Sequence, residues 1–178
     1  DTSNCAIAAA RQGADVAYLS AVGKDQFGRI AMEKWSDEGI DVSHVSIDPD
    51  APTGIYFIDP APEGRNFTYY RNDSAATKMT LSDASHSLLS STAILHISAI
   101  TQAISSAARG SAFNAIEIVK KSGGKVSYDT NLRLNLWSLE EARSVINETA
   151  AKADILLPSL DEAQTLTGLD NKDDILEF

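Results

Sequence analysis

Apolar and polar residues follow two alternating periods along residues 81–178. Short apolar segments that predict buried strands lie at 93–98, 125–129 and 154–158. Segments with helical spacing of apolar residues lie at 81–91, 102–121, 139–152 and 159–167, with a further helix starting at Asn171. Strands that alternate with helices in this way predict a mainly parallel sheet with helices on both faces, the doubly wound α/β class.

The first part of the chain has a different pattern. Two helices and one strand are predicted there, at 4–12, 26–38 and 17–22. Two segments rich in aromatic and β-branched residues follow, TGIYFI at 53–58 and NFTYYR at 66–71, with the turn-forming linker DPAPEG between them. We therefore predict a hairpin over 53–71 that stands outside the α/β pattern as a small β lid.

The length and composition are compatible with one partial domain over 1–178, in which 81–178 form the α/β body. A chain of 178 residues with 43% apolar residues can bury a core without disulfides. Cys5 is the single cysteine, which excludes an internal disulfide and a metal site built from cysteines.

The net charge and the absence of long apolar runs argue against two classes of partner, nucleic acids and membranes. With 15 basic and 25 acidic residues the net charge is −10, which argues against nucleic acid as a partner. No apolar run reaches the roughly 18 residues of a membrane span, so we expect no membrane partner. No secretory signal is recognisable in the sequence, and we expect a cytoplasmic location.

Polar side chains cluster where the predicted parallel strands end. The strand at 125–129 leads into DTNLR, which includes Asn131 and Arg133, and the strand at 154–158 leads into PSLDE. Ligands bind beyond the carboxyl ends of such strands, and an arginine there can hold a carboxylate or a phosphate. The pair Ser159 and Glu162 also has the spacing of a helix capping box, so a structural role is an open alternative to a magnesium role.

The end of the predicted hairpin offers a second candidate site. Alternation along the strand places Tyr69 and Arg71 on one face, and Tyr56 on the partner strand could share it. One arginine between tyrosine hydroxyls suits a small polyhydroxy acid, whereas the alternative is that these aromatic rings pack into the core.

Two further features favour structural roles. The segment GKDQFG at 23–28 lacks both the dinucleotide-binding and the phosphate-loop pattern, so we interpret it as a turn, although Asp25 would face the candidate edge. His96 lies within a predicted buried strand and is interpreted as a packed side chain.

In their order along the chain, these segments resemble the ribokinase-like (PfkB) family of carbohydrate kinases over essentially its whole length. The resemblance is carried by the stretch from DTSNCAIAAA to GKDQFGRI and by PTGIYFI, YYRNDSAA, ILHISAI, VSYDTNLRLNLWS and ADILLPSLDEAQTLTG. Within the family, TGIYFI with YYRNDSAA, DTNLRLNLW and LLPSLDE are most similar to kinases of 2-keto-3-deoxygluconate. Fructokinases share a very similar segment before LW, whereas SAA at 74–76 favours the keto-acid kinases.

The resemblance implies a doubly wound body with a β lid, and ATP-dependent phosphorylation of a sugar hydroxyl with Mg²⁺. In this family the catalytic Asp belongs to a Gly-Ala-Gly-Asp-type motif near the C-terminus, and residues 1–178 contain no such motif. The glycine-rich start of the N-terminal signature is also missing before DTSN. We therefore expect a fragment truncated at both ends, without a catalytic base and without kinase activity of its own.

The resemblance also assigns roles to individual residues. The residues expected to line the sugar pocket are Asp1, Thr2, Ser3 and Asn4. The lid residues expected to cover the substrate are Tyr56, Tyr69 and Arg71. The residues expected on the nucleotide side are Asn131, Arg133 and Ser159, of which Arg133 also contacts substrate and assists catalysis. Glu162 is expected to hold the metal through water, and Ser159 replaces the Asn of many relatives.

The leading hypothesis is therefore a kinase that converts 2-keto-3-deoxygluconate to its 6-phosphate, with the sugar acid and ATP as partners. The first alternative is a fructokinase-like hexose kinase, for which Arg71 would be dispensable. Two others are a non-catalytic relative on the same fold and a nucleotide-binding α/β domain of other chemistry. The sequence leaves open whether the full-length protein is a homo-oligomer.

Overall fold

The computed structural model of the protein describes residues 2–61 and 64–178, so the candidate Asp1 lies outside the described residues. The chain divides into two compact units, Asp1–Thr80 and Leu81–Phe178. Within the described ranges, no helix has both the length and the apolar character needed to cross a membrane. The interpretation of 1–178 as one partial domain stays a prediction.

The first unit begins with two helices and a short parallel strand pair. Its elements are α1 (Thr2–Arg11), β1 (Ser20–Gly23), α2 (Gln26–Asp37) and β2 (Val45–Asp48). β1 and β2 pair in parallel, with Ser20 opposite Val45. Val22, Trp35 and Ile40 form the centre of a small apolar core. From α2, Trp35 is buried in this core with Ala31 and Met32 packed against it, whereas Phe27 and Ile30 are about half exposed.

Strand β2 was not predicted from the sequence. Its segment VSID alternates apolar and polar residues over only four positions, which is too short to stand out in the sequence, and it buries only Val45. The predicted strand at 17–22 is also shorter than expected, because Ala17 forms only an isolated bridge to Asp41.

The predicted hairpin is present, and its strands are shifted toward the turn, since they include 59–61 and 64–65 and leave out 53–54 and 71. β3 (Ile55–Ala61) pairs antiparallel with β4 (Gly64–Tyr70), and Tyr56 lies opposite Tyr69. A short 3-10 helix, Ala75–Lys78, follows the hairpin. The aromatic and β-branched residues that predict these strands lie opposite one another in the strand pair.

The second unit is a three-stranded parallel sheet with connecting helices. Its elements are α3 (Asp83–Ser91), β5 (Ile94–Ser98), α4 (Ala99–Ala103), α5 (Ser106–Lys121), β6 (Lys125–Asp129), α6 (Leu139–Ala150), β7 (Ile155–Leu157), α7 (Leu160–Thr167) and α8 (Lys172–Glu177). The strand order is β5-β6-β7, and both pairs are parallel. The α/β class with parallel sheets and flanking helices is therefore confirmed.

The predicted single helix at 102–121 is wrong. The chain instead forms α4 directly after β5 and then begins α5 at Ser106. The break lies at Ser105, whose Oγ accepts a hydrogen bond from the Ala108 backbone N–H at 3.0 Å. A serine side chain caps a helix better than it continues one, and the helical spacing of apolar residues does not report this.

The core of the second unit contains a buried polar group of three side chains. The Tyr128 hydroxyl donates to Gln102 Oε1 at 2.6 Å, and Gln102 Nε2 donates to Thr149 Oγ1 at 2.8 Å. All three residues are fully buried. Their mutual hydrogen bonds satisfy polar atoms that would otherwise be costly to bury, and they connect α4, β6 and α6.

Candidate functional site

The ends of the three parallel strands lie side by side, as the sequence predicts. Ser98 on β5 is in register with Asp129 on β6, and Asp129 is in register with Leu157 on β7. Ser98 itself is fully buried, and its Oγ accepts a hydrogen bond from the Ile100 backbone N–H at 3.3 Å. Ser98 is therefore a helix cap, and the candidate chemistry lies beyond β6 and β7.

Glu162 brings together the segments that follow β6 and β7. Its Oε1 accepts from the Leu132 backbone N–H at 2.9 Å. Its Oε2 accepts from Thr130 Oγ1 at 2.9 Å and from the Ser159 backbone N–H at 3.1 Å. We call the loop 129–133, together with Ser159 and Glu162, the strand-tip site. One carboxylate thus determines how the two segments of this site lie against each other.

Asn131 sits at the centre of the strand-tip site in an uncommon backbone conformation. Its φ is 23°, in the region that side-chain-bearing residues rarely adopt, although Asn tolerates it better than most. Its backbone N–H and its Nδ2 both donate to the Asp129 carboxylate, at 3.2 Å each. Because Glu162 also holds Thr130 and Leu132, the conformation of Asn131 is constrained from both sides.

The structure confirms the capping interpretation of Ser159 and Glu162. Ser159 Oγ accepts from the Glu162 backbone N–H at 3.3 Å, which completes the reciprocal capping box at the start of α7. A carboxylate has about four acceptor positions, and three of those of Glu162 receive protein donors. The remaining capacity fits a water-mediated contact to a cation, whereas the described residues contain no cluster of carboxylates, His or Cys that could hold a metal directly.

Arg133 lies at the exposed rim of the strand-tip site. Its side chain is 44% exposed, and its Nη1 lies 3.9 Å from Glu162 Oε1. The same Nη1 donates to the Leu132 carbonyl at 2.8 Å. The guanidinium is therefore oriented by its own loop while it remains accessible to an anion.

The hairpin brings together the second set of predicted residues. The rings of Tyr56 and Tyr69 are paired with centroids 5.9 Å apart, and Phe67 stacks on Tyr69 at 6.1 Å. The Arg71 guanidinium carbon lies 4.3 Å from the centre of the Tyr69 ring, a cation-π contact. We call this surface, with Tyr56, Phe67, Tyr69 and Arg71, the hairpin face.

Among the described residues, most hairpin aromatics are exposed and do not pack into a core, whereas Tyr69 is half-buried. Tyr56 and Phe67 on one face are 53% and 45% exposed, and Phe57 and Tyr70 on the other face are 57% and 62% exposed. Contacts of the rings with one another stabilise the strand pairing, and both faces present aromatic surface.

The predicted sugar-pocket residues on α1 have structural contacts that the sequence did not reveal. Thr2 Oγ1 is hydrogen-bonded to the Tyr18 hydroxyl at 2.9 Å, and Ser3 Oγ accepts from Trp35 Nε1 at 2.7 Å. Burial raises the pKa of Tyr18. Asn4 is exposed. The binding roles of Thr2, Ser3 and Asn4 stay predictions.

The turn GKDQFG contains a residue whose importance the sequence analysis underrated. Asp25 caps α2, since its Oδ1 accepts from the Gly28 backbone N–H at 2.8 Å. The same carboxylate accepts from the backbone N–H of Thr53 at 2.7 Å and from Thr53 Oγ1 at 2.8 Å. The hydrogen bonds from Thr53 and Gly28 lower the pKa of Asp25. An Asp directly before a predicted helix is typical of an N-cap, but nothing local indicates the bond to Thr53.

His96 is partly buried, and its Nδ1 lies 3.0 Å from Ser127 Oγ on the neighbouring strand. Burial is the main cause of its lowered pKa, which favours a neutral ring. This position agrees with the prediction that His96 is a packed side chain and not a catalytic one.

Comparison with known proteins identifies the family of this arrangement. The model of the pfkB family of carbohydrate kinases matches residues 1–177. The 2-dehydro-3-deoxygluconokinase of Thermoproteus tenax is 37% identical over 172 residues, covering 94% of this chain and 52% of that protein. Fructokinase-1 of Oryza sativa subsp. japonica is 37% identical over 174 residues, covering 97% of this chain and 54% of that protein. The chain thus spans about half the length of these curated relatives.

Solved structures agree on the fold. A PfkB protein from Polaromonas sp. JS666 superimposes with a TM-score of 0.94 at 34% identity, covering 99% of this chain and 60% of that one. A fructokinase from Vibrio cholerae O395, in a form with bound fructose, ADP and calcium ion, superimposes with a TM-score of 0.81 at 31% identity. That match covers 98% of this chain and 56% of the fructokinase.

Proposed function

Because this chain belongs to the pfkB family of carbohydrate kinases, we propose that it is part of an ATP-dependent kinase that converts 2-keto-3-deoxygluconate to its 6-phosphate. We call this chain, together with any sequence that adjoins it in its gene, the full-length protein. The choice of a sugar acid rests on one observation, the position of the Arg71 guanidinium 4.3 Å from the centre of the Tyr69 ring on the hairpin face.

The hairpin face suits a ligand that carries both a carboxylate and hydroxyl groups. A guanidinium can hold a carboxylate through two parallel charge-assisted hydrogen bonds. Tyr56 and Tyr69 are opposite each other in the strand register, so both phenol groups belong to the hairpin face together with Arg71. A neutral hexose could use the phenol groups but has no carboxylate for the guanidinium to bind. This difference supports an acid over a hexose.

The strand-tip site suits the nucleotide side of the reaction, where a negatively charged phosphoryl group is transferred. Phosphoryl transfer needs little covalent chemistry from the protein and depends on positioning and on stabilising charge. The exposed Arg133 supplies a cation, and Asn131 supplies an amide on a constrained backbone. We assign Asn131, Arg133 and Ser159 to the nucleotide side, and we assign the assistance of catalysis to Arg133.

ATP would supply the phosphoryl group, and Mg²⁺ would neutralise part of its phosphate charge. In this chain, Glu162 would contact that ion through a water molecule. Three protein donors already bind its carboxylate, and the water would bind at the acceptor position that they leave. We assign the removal of the proton from the sugar hydroxyl to none of the described residues.

A fructokinase-like hexose kinase is the second candidate. The rice fructokinase-1 and the Thermoproteus tenax 2-dehydro-3-deoxygluconokinase match this chain at the same 37% identity. Overall similarity therefore does not distinguish the two substrates, and the distinction depends on individual side chains such as Arg71.

The direct test is a comparison of substrates in the full-length protein. We would measure kcat/KM for 2-keto-3-deoxygluconate and for fructose by ADP release, with ATP and Mg²⁺ present, and determine which hydroxyl of the product is phosphorylated. We expect the acid to be preferred at least about tenfold, equivalent to one charge-assisted hydrogen bond. A preference for fructose would favour the second candidate. A folded full-length protein that phosphorylates neither compound would favour a non-catalytic relative.

A further inference from the structure

The Asp25 carboxylate joins three segments of the first unit. It receives the Gly28 N–H at the start of α2, at 2.8 Å. It also receives the backbone N–H and the hydroxyl of Thr53, at 2.7 and 2.8 Å. Thr53 Oγ1 in turn accepts from the Gly23 N–H at the end of β1, at 2.8 Å. Thr53 lies two residues before β3, so this cluster of hydrogen bonds connects the start of the hairpin to β1 and α2.

The close approach at this junction depends on two glycines. A Cβ on Gly23 would lie 2.5 Å from the Ala51 carbonyl oxygen and 2.6 Å from the Thr53 nitrogen. A Cβ on Gly28 would lie 2.2 Å from the Gly23 carbonyl oxygen and 2.9 Å from Thr53 Oγ1. These separations are too short for any side chain, so both glycines of GKDQFG are needed to let Thr53 reach Asp25.

The segment that follows β4 is hydrogen-bonded to the segment that precedes β3. The Ala75 backbone N–H donates to the Pro52 carbonyl at 2.9 Å. A Cβ on Gly54 would lie 3.1 Å from Ser74 Oγ and 3.3 Å from Arg71 Cβ, so the two stems are in close contact. We therefore expect a change in the position of Thr53 to affect Arg71, which directly follows β4.

Beyond these stems the hairpin exposes its large side chains on both faces. Tyr56 on the hairpin face is 53% exposed, and Phe57 and Tyr70 on the other face are 57% and 62% exposed. A hairpin that buries so little of its aromatic surface gains little orientation from core packing. Its direction is then determined mainly by the junction at its base.

We propose that Asp25 is a positioning residue that fixes the direction in which the hairpin presents Tyr56, Tyr69 and Arg71 to the sugar substrate. The proposal rests on the proposed function for its substrate, but its structural part concerns the hairpin alone. Asp25 contacts no substrate in this role and acts through Thr53. The lowered pKa of Asp25 keeps the carboxylate charged at neutral pH, where it is the stronger acceptor.

Two substitutions separate this role from the ordinary capping of α2. Asn is as good a helix cap as Asp, so Asp25→Asn can keep the bond from Gly28. Its amide NH2 then replaces Oδ2 and meets the Thr53 N–H as a second donor, so the backbone bond from Thr53 is lost, whereas the bond from the Thr53 hydroxyl to Oδ1 can remain. Thr53→Val removes the hydroxyl from the other side of the contact at nearly equal volume, and Thr53→Ser retains that hydroxyl.

A matched control removes a cap elsewhere. Ser82 caps α3 in the second unit, where its Oγ accepts from the Ser85 N–H at 3.2 Å. Ser82→Ala therefore lowers stability by a lost cap without touching the junction at the base of the hairpin.

The experiment measures hydrogen exchange and steady-state kinetics on the full-length protein and these variants. For Asp25→Asn and Thr53→Val we expect amide exchange in β3 and β4 to rise about tenfold to a hundredfold, the range for a lost bond to a charged acceptor, with exchange in β5–β7 unchanged. KM for the sugar should rise about as much, while KM for ATP stays within about twofold. Thr53→Ser should retain both values, and Ser82→Ala should change neither.

Several results would overturn the proposal. One is that Asp25→Asn accelerates exchange equally in all strands, as a general loss of stability would. Another is that hairpin exchange rises while KM for the sugar does not, because the hairpin would then not need this junction to bind substrate. If the wild-type protein phosphorylates no sugar, the proposed function fails. The exchange data then decide the structural part alone: accelerated exchange confined to β3 and β4 supports it, and unchanged exchange there overturns it.

Discussion

The hairpin face and the strand-tip site carry candidate binding residues in two different physical settings. In the strand-tip site, Glu162 and Asp129 hold the loop through hydrogen bonds to charged acceptors, and Asn131 keeps an uncommon φ of 23° as a result. In the hairpin, the rings of Tyr56, Phe67 and Tyr69 contact one another, and Tyr56 and Phe67 are 53% and 45% exposed. The conformation of the first region is fixed by contacts within the loop and α7, whereas we propose that the direction of the second depends on the junction at its base.

This difference predicts where mutations have the largest effects. Truncating one acceptor in the strand-tip site leaves several donors without a partner, which is costly in a partly buried site. Truncating one ring on the hairpin removes exposed surface and contacts that neighbouring rings partly replace. The following predictions test this contrast.

The largest effect is expected from Glu162→Ala. The change removes the acceptor for Thr130 Oγ1, the Leu132 N–H and the Ser159 N–H, so the loop 129–133 loses its attachment to α7. We expect the free energy of unfolding to fall by about 3 kcal/mol and kcat/KM of the full-length protein to fall at least about a hundredfold. Urea unfolding and ADP-release kinetics measure the two quantities.

Glu162→Gln and Glu140→Ala complete the series. Gln keeps one carboxamide oxygen as acceptor, so its loss should be intermediate. Glu140 is an exposed residue of α6, and its truncation should leave both quantities nearly unchanged. Equal, small effects of all three substitutions would show that Glu162 does not hold the loop.

A smaller effect is expected from the matched pair Tyr128→Phe and Tyr56→Phe. The first removes a fully buried hydroxyl and leaves Gln102 Oε1 without that donor, at a cost of about 2 kcal/mol. The second removes a hydroxyl from a side chain that is 53% exposed, and should change stability by less than about 0.5 kcal/mol. Denaturant midpoints with a common m-value measure both, and equal costs would contradict the expected difference between a buried hydrogen-bonded hydroxyl in the core and an exposed one on the hairpin.

Much of this architecture follows from local signals in the sequence. The three strands at 93–98, 125–129 and 154–158 are short apolar runs, and their parallel pairing places Asp129 beside Ser98 and Leu157, as predicted. The cap at Ser159 and the end of α7 at Gly168, whose φ is 78°, are also local features. Such elements are predictable because the residues that determine them lie within a few positions of one another.

The contacts that organise the candidate sites are long-range, and for that reason the sequence did not predict them. Asp25 and Thr53 are 28 residues apart, and Glu162 and Leu132 are 30 residues apart. Hydrophobic spacing does not report which backbone donor a carboxylate will reach. The same limit explains Ser105, where a side-chain cap interrupts an otherwise continuous helical pattern.

The smallest effect concerns the acid stability of the first unit. Hydrogen bonds from Arg11 and then from Lys34 lower the pKa of Glu38 to about 2. The pKa of Glu38 in the folded state lies below its unfolded value near 4.3. The contribution of Glu38 to the free energy of unfolding is therefore complete above pH 4.3 and is lost as pH falls toward about 2. We expect Glu38→Gln to flatten this part of the stability profile.

Fluorescence can follow this loss in each unit separately. Trp35 lies in the first unit and Trp137 in the second, so Trp137→Phe leaves Trp35 as the reporter of the first unit. An acid midpoint of the first unit that is the same with Glu38 and with Gln would show that this ion pair contributes nothing to the profile.

The measurement that tests the central claim most directly is kcat/KM of Arg71→Ala and Arg71→Lys for the acid and for fructose. We expect Arg71→Ala to lower kcat/KM for 2-keto-3-deoxygluconate about tenfold to a hundredfold, the equivalent of a lost bond to a charged group. Lys should recover only part of this, because it retains the charge and loses the planar fork. Fructose should be nearly indifferent to both changes. Equal losses for the two substrates would show that Arg71 only supports the hairpin, and would contradict the assignment of a sugar acid.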